Sequence, residues 1–301
     1  MTFAEALGCT AIAFGPPLWV FVVFIARDPL RIILFVLGAF FWLVSLLLSS
    51  ILWYAVVPLR QTLVFGLFFS IAFQELFRYL YFFVLKRAQR GLDKLSASGM
   101  HIAGVHSLKN ARHMLAVVCG LGMGTMAGMF LLVNVIADFS GEGTAGFPAS
   151  VYVANVTVPF RGHGNYHFCL MSTLSAGILI LTHIAWTVVF WDGCHKKGSA
   201  VPTWWVGLVI VILSHYVSSA ISFYNEKKMY GLTLGVQLII LLINWMFAWY
   251  VMGGSVARMK AAFGLGPAAG LSTPRTPIVD ETDESPAPTH QRRFDAHHVE
   301  T

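Results

Sequence analysis

Seven apolar stretches, each about as long as a helix must be to cross the hydrocarbon of a bilayer, divide the first 252 residues of this chain. They run over residues 3–26, 30–57, 63–85, 114–138, 168–191, 204–223 and 229–252. In lipid an unpaired backbone N–H or C=O costs several kcal/mol, so stretches of this kind must close their own hydrogen bonds as helices. Hydrophobic residues make up 57% of the chain and charged ones 11%, which excludes a water-soluble domain of ordinary composition. The expected fold is therefore all-α: a polytopic membrane protein, a seven-transmembrane-helix bundle over residues 1–263. Residues 264–301 turn to Pro, Thr, Ser and acidic residues without apolar periodicity and read as a disordered tail.

Charge orients the bundle. Residues 86–112 hold six Lys/Arg against one Asp, and such segments stay on the cytoplasmic side. Counting spans from there predicts an exterior N-terminus and a cytoplasmic C-terminus. Arg27 and Arg31, His195 to Lys197, and Arg258 with Lys260 then fall inside as well. The Gly-rich segment 140–167 falls outside, and its Asn155-Val156-Thr157 is an N-glycosylation acceptor. The net charge of +6 thus reports topology and points to no nucleic-acid partner. Gly15-Pro16-Pro17 should kink the first span or unwind one of its turns.

The fourth span carries Ala116, Gly120, Gly124 and Gly128 four residues apart. That spacing keeps them on one helix face, a furrow without side chains into which another helix can pack. Each glycine costs about 1 kcal/mol of helix propensity, so three on one face call for a reason. Whether the occupant is a helix of this chain or of another protein stays open at this level.

Polar side chains inside the apolar zone are the other constraint. Glu75 falls roughly 16 Å from the cytoplasmic end of its helix, His215 about as deep and His183 slightly shallower. Groups that costly in lipid face protein. Gln74 and Glu75 lie four and three residues before Arg78, so the three read as a self-paired cluster that locks helices. His183 and His215 lie on consecutive antiparallel spans and should hydrogen-bond each other, or Ser172, Thr182 or Ser214. The sharper alternative is a zinc site with Glu75 as third ligand, yet no His-Glu-x-x-His motif is present and nothing places the third span beside the fifth and sixth. Asn134, Gln237 and Asn244 read as interhelical hydrogen bonders. No nucleophile elbow, Walker loop or dinucleotide fingerprint occurs. Asp28, Asp138 and Asp192 all sit at span ends, so the aspartate pair of an intramembrane aspartyl protease is missing. The four cysteines have neither metal nor disulfide spacing. No cofactor or metal is expected.

Phe14-Gly15-Pro16, Asp28-Pro29-Leu30-Arg31, the run from Gly38 to Leu48, Gln74-Glu75 and Phe77-Arg78 make up the first part of a longer pattern. The glycine row, Asn134 to Asp138, His183, Phe190 with Asp192, Ser214-His215 and Gly253-Gly254-Ser255 complete it. This pattern resembles the anterior-pharynx-defective family, the seven-span scaffold subunit of gamma-secretase, over residues 8–260. The segments 140–167 and 264–301 carry no part of it. The resemblance implies a non-catalytic subunit that binds nicastrin early, then presenilin and the presenilin enhancer subunit, with presenilin supplying the catalytic aspartates. It further implies that the glycine row packs helices needed for assembly, that His183 and His215 are membrane histidines needed for a stable complex, and that the protein resides from endoplasmic reticulum and Golgi to plasma membrane and endosomes. A seven-span receptor fits less well: Arg78-Tyr79 follows Phe77 rather than an acid, and Asn244-Trp245 replaces Asn-Pro. A seven-span zinc hydrolase of the alkaline ceramidase type would need a third membrane histidine.

Overall fold

A computed structural model describes residues 3–59, 62–97, 112–137, 150–153, 156–159, 166–197, 199 and 201–255. Of residues 3–6, 96–97, 134–137, 150–153, 156–159 and 166–169 it describes the backbone alone. The described helices are α1 (Phe3–Phe24), α2 (Pro29–Ala55), α3 (Leu63–Ala97), α4 (Arg112–Ala137), α5 (Tyr166–Lys197), α6 (Trp204–Ala220) and α7 (Tyr230–Val251). All seven are long and apolar enough to cross a membrane. The seven helices lie within one compact unit that ends at Gly254.

Local chemistry explains the helix ends. The side chain of Asp28 caps α2 by accepting the Leu30 N–H at 3.0 Å, and Pro29 takes the first helical position, where a missing N–H is harmless. Arg31 ties the same turn together, reaching Asp28 at 3.0 Å and the Phe24 carbonyl at 2.6 Å. After α2, Val57–Leu59 forms a 3-10 turn around Pro58; after α6, Ile221–Lys227 forms another, and Lys228 stops it in the left-handed region at φ 60°. Helices α3 and α5 continue past their apolar segments, so Lys86 to Lys94 and His195 to Lys197 ride on helix rather than on loop. The segment between α4 and α5 holds an antiparallel pair of strands, β1 (Ser150–Val153) and β2 (Val156–Pro159), which the sequence did not announce. Asn155, in the connection of that hairpin, lies outside the described residues, as does the side chain of Asn134.

Helix α1 stays helical through Pro16 and Pro17 rather than unwinding. Two prolines remove the N–H groups that would bond the carbonyls of Ile12 and Ala13. The backbone of α5 closes on those carbonyls at Gly177, where an added Cβ would stand 3.4 Å from the Ala13 oxygen and 3.6 Å from that of Ile12. Tertiary packing covers what the prolines freed.

Helix α5 is the centre, packing against α1, α3, α4, α6 and α7. It and α4 are 67% and 61% buried over their apolar windows, whereas no other span exceeds 28%. Outward faces are apolar, for example Leu18, Trp19 and Val22 on α1 and Ile239, Leu242 and Met246 on α7. The interior holds Glu75, Arg78, Thr173, Thr187, His183, His215 and Asn244. That distribution, polar inside and apolar outside, suits hydrocarbon as the surrounding solvent.

Candidate functional site: a polar knot behind a glycine furrow

The furrow on α4 is filled by α5 of the same chain. A Cβ at Gly120 would lie 2.8 Å from the Ile184 Cα, 2.9 Å from the His183 carbonyl oxygen and 3.0 Å from the Thr187 Cβ. At Gly124 it would lie 2.7 Å from the Ile180 oxygen and 2.9 Å from the His183 Cβ; at Gly128 it would strike the Ile180 side chain at 2.6 Å. Ala116, one turn earlier, is buried. The first two positions meet backbone or branch-point atoms that cannot swing aside, so only glycine fits.

A second close approach lies on another face of the same helix. A Cβ at Gly122 would run into the Phe35 carbonyl of α2, and one at Gly38 of α2 would lie 2.7 Å from the Cys119 oxygen. Sequence reading passed over this pair because Gly38 and Gly122 are single glycines in their rows. Their signal was mutual: one isolated glycine on each of two neighbouring spans. Helix α4 is thus clamped on both sides at backbone distance.

Beyond the furrow, His183 and Thr187 face α3, and there the buried ionisable groups converge. Arg78 Nε donates to Glu75 Oε2 at 3.1 Å and Nη2 to Oε1 at 3.3 Å, a two-pronged ion pair in the bundle interior. Its Nη1 donates to the Thr187 hydroxyl and, at 3.4 Å, to the His183 carbonyl. The Thr187 hydroxyl in turn donates to that carbonyl at 2.8 Å. Arg78 Nη2 also stands 3.2 Å from His183 Nδ1. A guanidinium has no acceptor, so Nδ1 of His183 accepts and the ring carries its proton on Nε2. His215 plays the opposite part: its Nδ1 lies 2.7 Å from Glu75 Oε1 and donates to the carboxylate. The two rings stand edge to face at 5.5 Å, linked through the Glu75–Arg78 pair.

This corrects two sequence expectations. The histidines' partners are Arg78 and Glu75, since α3 runs beside both α5 and α6; Ser214 is instead taken by Trp186 Nε1 at 2.8 Å, and Thr182 bonds back to Ile178. Gln74 does not join the cluster, because an i, i+4 pair shares a face only broadly. Its Oε1 accepts from Trp42 Nε1 on α2 at 3.1 Å and its amide donates to Ser70 at 3.2 Å. Elsewhere Gln237 links α7 to Ser175 of α5 at 2.8 Å, whereas Asn244 bonds its own helix at the Ile240 carbonyl.

Trp186 is the residue that sequence reading missed. It is fully buried, stacks on His215 at 4.2 Å and stands in a T-shaped contact with His183 at 5.1 Å. The available signal was depth: tryptophans belong at membrane interfaces, and an indole N–H in mid-span must find an acceptor. Glu75, His183 and His215 do converge, but the Arg78 guanidinium is bonded to two of them, and the described residues contain no three His, Cys, Asp or Glu side chains placed to hold a metal ion.

The similarity to known proteins covers this whole bundle. A sequence profile of the family described as "Aph-1 protein" matches residues 4–255. The chain is 41% identical to the gamma-secretase subunit aph-1 of Caenorhabditis elegans over 267 residues, 88% of this chain and 85% of the relative. It is 38% identical to gamma-secretase subunit Aph-1 of Drosophila melanogaster over 255 residues, 85% and 95% of the two chains. To gamma-secretase subunit APH-1B of Homo sapiens it is 37% identical over 270 residues, 86% and 93%.

Proposed function

The chain belongs to the Aph-1 family, and from that premise we propose that it is the non-catalytic scaffold subunit of a gamma-secretase intramembrane aspartyl protease. In this reading it binds nicastrin early and then presenilin and the presenilin enhancer subunit, and it supports cleavage of type I membrane proteins such as Notch and the amyloid precursor. It works as a multi-pass protein in membranes from the endoplasmic reticulum and Golgi to the plasma membrane and endosomes. Its N-terminus and Asn155 are exterior, which makes Asn155 a candidate glycan acceptor, and residues 264–301 form a cytoplasmic tail behind a bundle of residues 1–263.

The observation that carries the proposal is the closure of the polar knot. Glu75 is held by Arg78 and His215, and Arg78 by Glu75, Thr187 and His183. An acid or base at work in catalysis must reach substrate with a free lone pair or proton; these groups are spent on one another, which suits a rigid bundle that presents its outer faces to partners. The glycine row serves assembly indirectly in this scheme. It sets the position of α5, and through α5 the positions of the helices around it.

Co-purification tests the proposal. The tagged full-length protein, extracted in mild detergent, should bring down presenilin, nicastrin and the presenilin enhancer subunit together, and cells lacking it should lose assembled protease. Recovery of the other three subunits as an active complex in its absence would refute a scaffold role.

A further inference from the structure

At the Lys/Arg-rich end of the bundle, where α3 and α5 leave the apolar zone and α4 enters it, a cleft opens between the three helices. It is shallow, so a group as large as a phosphate would seat at its mouth rather than inside it. Lys86 and Gln89 of α3, Arg112 of α4 and His195 of α5 line it as polar groups, with Phe82 and Trp191 among its apolar walls. Three helices thus bring two permanent cations, an amide and an imidazole to one opening. Arg112 is also the first residue of α4, so the positive end of that helix adds to the potential. The walls fix the polar groups in place: Phe82 meets His195 edge to face at 4.9 Å, and the Lys86 ammonium lies 5.5 Å from the Phe82 ring. Asp192, the carboxylate next to Trp191 on α5, is engaged by Lys196. Neither the polar knot nor the glycine furrow uses the side chains of Lys86, Gln89, Arg112 or His195.

We propose that this cleft binds the phosphate headgroup of an anionic glycerophospholipid. Two features favour a lipid over a soluble phosphate. The cleft sits at the end of an apolar bundle, at the depth where headgroups lie, and the basic end of such a protein faces the leaflet richer in anionic lipid. The phosphate meets Lys86 and Arg112, and the amide of Gln89 supplies a neutral donor beside them.

The test uses full-length protein in nanodiscs of phosphatidylcholine with and without phosphatidic acid, reading bound lipid by native mass spectrometry. Phosphatidic acid should be retained in preference to phosphatidylcholine. Lys86→Gln with Arg112→Gln should weaken retention about 30-fold, from about 5-fold for each basic charge at a membrane surface. Gln89→Glu, which keeps both cations and sets a carboxylate at the mouth, should weaken it too and guards against misfolding of the double variant. Arg27→Gln removes a cation at the same end that does not line the cleft, and should change nothing. Equal loss in Arg27→Gln would assign the effect to diffuse surface charge and overturn the site. So would unchanged retention in the double variant and in Gln89→Glu. Displacement of the lipid by equimolar glycerol phosphate or inorganic phosphate would overturn the lipid assignment.

Discussion

Gly124→Ala adds a single methyl group where α4 crosses α5, and its consequences follow from the spacing there. The new Cβ would stand 2.7 Å from the Ile180 oxygen, whereas ordinary contact begins near 3.4 Å. The two backbones must therefore part by about 0.7 Å, or the side chains between them must yield by as much. Overpacking of this kind costs about 1–3 kcal/mol, offset by about 1 kcal/mol of helix propensity on replacing glycine. The same methyl would lie 2.9 Å from the His183 Cβ. His183 Nδ1 sits 3.2 Å from Arg78, and a displacement of that size in either direction takes the contact outside the usual hydrogen-bond range. Loss of a hydrogen bond to a charged group adds about 1.5–3 kcal/mol. The net expectation is a loss of about 1.5–5 kcal/mol, measured as denaturant unfolding of the purified protein in mild detergent. Gly235→Ala on α7 is the internal control, since nothing lies within 4 Å of its added Cβ; it should be neutral or gain up to about 1 kcal/mol. A double-mutant cycle pairing Gly124→Ala with His183→Asn should show coupling, because both act on one contact. Unfolding of Gly124→Ala that matches Gly235→Ala would refute the link between furrow and knot.

The two histidines should respond differently to the same replacement. His215→Lys keeps a donor for Glu75, while His183→Lys sets a second cation against Arg78; complex yield should therefore fall further for His183→Lys, and equal yields would contradict the donor and acceptor roles assigned above. Arg78→Met strands Glu75 without its cation and should cost about 3–5 kcal/mol in unfolding, whereas Glu75→Gln with Arg78→Met should recover part of that loss; a double variant worse than either single would mean that the pair is not the unit. In sealed vesicles, exterior protease should spare the tail and Asn155 should carry a glycan that glycosidase removes; digestion of an epitope on the tail would reverse the topology.

Hydropathy was enough to read the seven spans, because it follows from the cost of placing polar groups in lipid. The glycine face was legible for the same kind of reason: a period near 3.6 is a property of one helix. What occupied that face was not, since partner choice depends on how seven helices are arranged around one another. The centre of the bundle is α5, which packs against five other helices, and not α4, which the glycines make conspicuous. Gln74 failed for a related reason: periodicity placed it near Arg78, and only the position of α2, with the Trp42 indole within reach, decided that it would turn the other way.

The polar knot shows why the arrangement had to come from outside the helix pattern. Arg78 has donors to spare after Glu75 is satisfied, and in hydrocarbon each unused donor is costly. Helix α5 meets that demand with two groups one turn apart, the Thr187 hydroxyl and the His183 carbonyl and ring, all on the side of α5 turned toward α3. The His183 carbonyl and the Thr187 Cβ also lie against Gly120, on the side that α4 approaches. A side chain at Gly120 or Gly124 would therefore disturb the groups that Arg78 grips. The three glycines and the four ionisable residues, separate features in the sequence, constrain the stretch of α5 from Ile180 to Thr187 from two directions. Their substitutions should couple, whereas Gly122 and Gly38, which set the distance between α4 and α2, should act independently of His183 and Arg78.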